Sequence, residues 1–92
     1  MKKFSIIKVT NKIWFFIGEP MTGKTTFVKI LKEFGLKNIF SEDIGSFKYF
    51  EKIRIEEKNL NIFIFNNEII AKECYDYINS EEFLYYEDNK YL

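Results

Sequence analysis

One stretch of the chain, Gly18-Glu19-Pro20-Met21-Thr22-Gly23-Lys24-Thr25, combines residue types and spacing with an evident chemical use. Two glycines five positions apart, followed directly by Lys and a hydroxyl residue, suit the binding of phosphate oxygens. Successive main-chain N–H groups from Met21 through Thr22, Gly23 and Lys24 to Thr25 can curl into an anion cradle. A helix opening at the same place adds unpaired N–H groups and the positive end of its dipole. Gly18 and Gly23 allow a tight wrap with no Cβ in the way. In that geometry Lys24 reaches the outer phosphates as a point charge. The Thr25 hydroxyl is placed to ligate Mg²⁺, and Thr26 supports the cradle.

A magnesium ion beside a triphosphate also calls for a carboxylate at the end of a neighbouring strand. The best strand for that role, Asn61-Ile62-Phe63-Ile64-Phe65, runs into Asn66-Asn67-Glu68. An Asn can hold water but brings no negative charge. Glu68 is therefore the expected second metal ligand beside Thr25, although a first-turn helix Glu is also favoured by the dipole alone. Glu42 and Asp43 are alternative carboxylates for the magnesium side. Glu19 lies inside the loop and is expected to face solvent. Arg54 is the only Arg, in a charged segment, and reads as a surface residue or as a finger offered to a neighbouring subunit.

The surrounding pattern predicts the elements that would hold this loop. Phe4 to Val9 and Lys12 to Ile17 read as strands joined at Thr10-Asn11; the run from Ile13 to Ile17 is continuously apolar, as in a strand covered on both faces. A helix follows from Lys24 to Phe34, with Phe27, Ile30, Leu31 and Phe34 as its apolar stripe and Gly35 where a left-handed cap belongs. Residues 38–40 make at most a short strand, and 41–44 read as a loop with candidate caps. Residues 46–56 fit either helix or strand. Asn66 or Asn67 can cap a helix from about Glu68 to Asn79, with Ile69, Ile70, Cys74, Tyr77 and Ile78 facing inward. Phe83 to Tyr86 reads as an edge strand. The fold expected is a small α/β domain spanning residues 1–92, a central sheet of four or five strands with two or three helices.

Composition narrows the rest. The 92 residues suffice for one domain, and 47% apolar with 30% charged residues describes a folding chain. With no His and one Cys, the chain has no Ser-His-Asp or Cys-His nucleophile, no His-based zinc site and no disulfide framework. Net charge is zero, yet residues 1–40 carry eight Lys against Glu19 and Glu33, while residues 41–92 are correspondingly acidic. The neutral total and the single Arg argue against extensive direct nucleic-acid readout. No apolar run approaches the length that crosses a bilayer, and Lys8 and Lys12 interrupt any leader-like segment. A cytoplasmic location and no membrane partner are the expectation. Cys74 and Trp14 read as core residues.

The segment from Lys12 through Ile13-Trp14-Phe15-Phe16-Ile17 and the glycine loop to Thr26 resembles the P-loop NTPase superfamily. More narrowly, it looks like the opening of the superfamily 3 helicase domain of viral and plasmid replication initiators. The resemblance implies ATP or GTP as ligand, with Mg²⁺, held by Gly18, Met21, Thr22, Gly23, Lys24, Thr25 and Thr26. It also implies two acidic residues after the second buried strand, where this chain has Asn66 and Asn67. A nicking domain, a sensor region and an arginine finger do not all fit in this length, so a full helicase is not expected. The reading that follows is nucleotide binding with weak or absent intrinsic hydrolysis. One alternative is a phage- or plasmid-type protein-interaction or inhibitor protein that keeps the scaffold. It would engage a partner or a second copy through the aromatic, acidic segment from Glu81 to Asp88. The other is an active small NTPase or kinase.

Overall fold

The computed structural model describes residues 3–87. Four strands, β1 (Ser5–Thr10), β2 (Ile13–Ile17), β3 (Ile39–Ile44) and β4 (Leu60–Phe65), alternate with three helices, α1 (Lys24–Glu33), α2 (Phe47–Glu51) and α3 (Glu68–Ile78). The sheet order is β1-β2-β4-β3. β1 pairs antiparallel with β2 through a tight connection, whereas β2, β4 and β3 run parallel. This is an α/β domain with a mixed sheet.

Alternation along the strands sorts the side chains into two layers. Phe16, Ile62 and Ile64 face α1 and pack with Val28; Ile13, Phe15, Phe63 and Phe65 face α2 and α3 and pack with Phe50, Ala71, Cys74 and Ile78. β4 is buried along nearly its whole length, as a central parallel strand must be. Its aromatic neighbours meet edge to face, Phe63 against Phe50 at 4.9 Å and Phe15 at 6.2 Å. The path from β2 through α1 to β3 steps outward across one face. The path from β3 through α2 back to β4 reverses direction on the other face, which gives both crossovers the same hand.

Several expectations need correction. Residues 41–44 are strand rather than loop, because β3 extends over Ile39–Ile44 and pairs with the full length of β4. An edge strand has one open side, so Ser41, Glu42 and Asp43 can belong to it without an apolar pattern. The ambiguous segment supplies the short α2, capped by the Ser46 hydroxyl, which accepts from the Tyr49 N–H at 3.1 Å. Phe83 to Tyr86 contributes an isolated bridge between Glu56 and Tyr86 instead of an edge strand. On α1 the inward centre is Val28, while Ile30 and Phe34 are exposed; on α3 Ile69 is exposed and Ala71 takes the inward place. Gly35 ends α1 at φ 93°, and the Leu36 N–H reaches the Leu31 carbonyl at 3.2 Å in a Schellman closure. No helix of the described residues is long and apolar enough to cross a membrane.

Candidate functional site

The three parallel strands end at one edge of the sheet, and the residues of chemical interest collect there. β2 leaves the sheet at Gly18, whose N–H still donates to the Phe65 carbonyl at 3.0 Å. The chain then turns through Met21 at φ 65° and Gly23 at φ 94°, and α1 begins at the next residue. Two left-handed residues separated by one position bend the main chain around a point. At Gly23 the positive φ makes glycine the residue of choice. Gly18 is constrained differently: a Cβ there would stand 2.7 Å from the Phe4 Cβ, so the incoming N-terminal strand requires the small residue.

Lys24 is the second residue type that the site needs, and its position is unusual for a lysine. It is 4% exposed. Its Nζ donates to the carbonyls of Gly18 and Glu19, each at 2.6 Å, and to the Thr22 hydroxyl at 3.1 Å. All three acceptors are neutral. Among the described residues no carboxylate forms an ion pair with it. Burial pushes the Lys24 pKa down, and the Asp43 carboxylate nearby partly restores it. A buried cation without a matched anion is costly, by several kcal/mol in principle. The residue is thus held in the centre of its own loop by neutral acceptors, with only the Asp43 carboxylate nearby to offset its charge in part.

Beside it lies a cavity of about 240 Å³ lined by Pro20, Met21, Gly23, Lys24, Thr25, Thr26, Asp43, Ile64 and Asn66. Four segments supply these residues: the loop, the first turn of α1, β3 and the exit of β4. Among the described residues the main-chain N–H groups of Gly23, Lys24, Thr25 and Thr26 have no hydrogen-bond partner, since the first helical bond runs from the Phe27 N–H to the Gly23 carbonyl at 2.9 Å. The arrangement offers N–H donors, two hydroxyls, an ammonium and one carboxylate around one small space.

Met21, Gly23, Lys24, Thr25 and Thr26 line this one cavity, with Thr22 holding Lys24 and Gly18 forming the root of the loop. Glu68 does not join them. It lines a separate hollow on the α3 face, with Ser5, Ile7, Phe15, Ile17, Ala71, Lys72 and Tyr75. The cause is local: Asn67 caps α3, its Oδ1 accepting from the Ile69 and Ile70 N–H groups at 2.8 and 3.1 Å, and the turn carries the next residue to the other side. Of the two residues in the acidic places of the resemblance, only Asn66 reaches the cavity. Glu42 points to the α2 face, where the Tyr49 hydroxyl donates to it at 2.5 Å. Glu19 is exposed and outside the lining. Of the two alternative carboxylates, Asp43 is the one that lines the cavity with Lys24, because the register of β3 against β4 turns it to that face and Glu42 to the other.

Two other expected features lie elsewhere. Arg54 stacks on the Tyr86 ring, 4.8 Å from its centroid, and lines a different hollow with Phe83 and Tyr85. The C-terminal aromatics are largely used in packing: Phe83 meets Tyr77 and Tyr85 edge to face, and the Tyr85 hydroxyl is 3.0 Å from that of Thr10. Asp88, at the end of the acidic segment, lies outside the described residues. Cys74 is fully buried, and burial raises its thiol pKa to about 12, which makes it a packing residue. No protein-family model, curated protein or solved structure matches the chain.

Proposed function

We propose that this protein binds the phosphate chain of a nucleoside triphosphate, ATP or GTP with Mg²⁺, and hydrolyses it weakly or not at all. The observation that carries the reading is Lys24, a buried ammonium with only neutral partners, set beside an open cavity whose other donors are unpartnered main-chain N–H groups. An anion entering that space would meet an ammonium that makes no ion pair and that Asp43 offsets only in part, and charge-assisted bonds are the strong ones. Thr25 and Thr26 supply hydroxyls at the same wall.

The reading also limits what is recognised. A cavity of about 240 Å³ is smaller than the roughly 300–1,000 Å³ that encloses a whole drug-sized ligand. It accommodates phosphates and leaves ribose and base outside, so ATP and GTP should bind alike. Weak hydrolysis follows from the partners: β4 delivers Asn66 rather than a carboxylate, Asn67 is committed to the helix cap, and Arg54 lies in another hollow.

Calorimetric titration with ATP and with GTP, each with and without Mg²⁺, tests the reading. Lys24→Ala should weaken binding by about 10- to 100-fold, the usual worth of a hydrogen-bonded charge, with the far-UV spectrum unchanged. Equal affinity in the wild type and in K24A would overturn it.

A further inference from the structure

The two edges of the sheet are finished differently. β3 closes one edge with Ser41, Glu42 and Asp43 in its middle, and charged side chains on an edge discourage further pairing. β1 closes the other with Ser5, Ile6 and Ile7, and its first four residues are all exposed. Ile6 is 46% exposed on the α1 face, paired with Phe16; Ile7 is 40% exposed on the opposite face, paired with Phe15. Over Ser5 and Ile7 lies a hollow of about 430 Å³, walled by Ala71 and Tyr75 of α3. Among the described residues no strand pairs with the outer side of β1. The alternate N–H and C=O groups that point outward there form a template for one more strand. Lys8 and the bulge after it guard only the later half of β1.

We propose that this edge is a dimer interface: β1 pairs antiparallel with β1 of a second copy, about a two-fold axis that crosses Ile7. The proposal stands independently of the phosphate-binding reading. A two-fold axis between adjacent antiparallel strands is perpendicular to the sheet, so each face continues into the same face of the partner. Facing residues must then share a face, which leaves only registers that set some residue opposite its own mate. Two such registers use the strand almost fully. One sets Lys8 against the partner's Lys8, and like charges directly opposite each other destabilise a strand pair. The other sets Ile7 against the partner's Ile7 and Ile6 against the partner's Lys8, whose apolar stem can cover it. The bulge falls after Lys8, outside these central pairs. A second copy is the occupant that the edge itself specifies, because the same six residues satisfy both sides. The chain has no net charge, so two copies approach without long-range repulsion. Since the axis reverses strand direction, the two Lys24 loops come to opposite rims of the joined sheet, each as open as in a single chain.

Analytical ultracentrifugation over about a hundredfold range of concentration should show about twice the chain mass at the upper end and dissociation on dilution. Ile7→Lys sets two ammonium groups against each other at the axis and should raise the dissociation constant by about 30-fold. Its exposed position should leave the far-UV spectrum unchanged. Ile7→Cys reports the axis directly. With oxidised glutathione it should link two chains through facing thiols, whereas Ile6→Cys, staggered from its mate, and Ser41→Cys, on the β3 edge, should not. Cys74 is buried and does not compete. A wild type that stays monomeric across the range overturns the proposal and leaves the edge to a strand of another protein. A dimer that survives I7K overturns it, because a different surface then holds the copies. No link in I7C, or a link in I6C or S41C, overturns it too. Species heavier than a dimer do the same, since they mark β1 meeting β3 of the next copy.

Discussion

The two ends of the β2–β4 pair use the same device for opposite purposes. At the loop end, buried Lys24 gives three hydrogen bonds to Gly18, Glu19 and Thr22. At the other end, buried Asn61 gives its amide to the carbonyls of Lys12, Glu56 and Asn59 at 3.1, 2.9 and 3.1 Å. Each side chain gathers main-chain oxygens from a turn, Asn61 tying them to β4 and Lys24 to the first turn of α1. Asn61 is neutral, 1% exposed, and fastens the β1–β2 turn to the entry of β4. Lys24 is charged and borders a cavity. Similar bonding therefore makes a lock at one end and, at the other, a charge with room for a counter-ion. Burial and hydrogen bonding do not distinguish structure from site; charge balance and adjacent space do.

The comparison can be broken by substitution. Asn61→Leu should cost about 2–3 kcal/mol, because buried carbonyls lose their donor, and should leave ATP affinity unchanged; urea denaturation and calorimetry read the two. Asn67→Ala removes the α3 cap and should cost about 1 kcal/mol, again without touching affinity, whereas Asn66→Ala at the next position should leave stability within about 0.5 kcal/mol of wild type. Lys24→Met should change stability by less than about 1 kcal/mol, since removing a buried charge that has no ion pair offsets the loss of its bonds to the Gly18 and Glu19 carbonyls. A loss as large as that of N61L would make Lys24 a lock as well.

A smaller effect sharpens the contrast through pH. The folded-state pKa of Lys24 lies below its ordinary value of 10.5. Between the two values the unfolded chain binds more protons, so this group makes stability rise with pH across that window. Tyr49 works the other way: the hydrogen bond to Glu42 raises its pKa above 10.0, and the stability it contributes fades as pH climbs through the alkaline range. The difference between wild type and K24M cancels Tyr49. It should grow in favour of the wild type on approaching pH 10.5, while the same difference for N61L stays flat.

Much of this architecture is legible in the residues themselves. The apolar runs of Ile13–Ile17 and Asn61–Phe65 mark strands that are covered on both faces, and the glycine spacing marks the bend between β2 and α1. β3 is less legible because half of its residues are polar: Glu42 meets a tyrosine and Asp43 faces a cavity, so neither needs to be apolar. The apolar stripes of α1 and α3 are misread by one position where sequence periodicity treats every large apolar residue as inward; Phe34 and Ile69 are exposed. The loop residues of the site are local and can be read in order. Asp43 appears there only as one of a pair with Glu42, since which of the two faces the cavity depends on the pairing of β3 with β4. Glu68 fails for the converse reason, being near in sequence and turned aside by a cap.

The crossing of Phe4 over Gly18 ties the residue ahead of β1 to the far end of β2. The Phe4 ring also meets Phe16 at 5.5 Å and Phe27 on α1 at 6.0 Å, so one side chain clasps strand, hinge and helix at once. Truncating that ring to alanine would loosen all three together, so the loop would register a change made outside it.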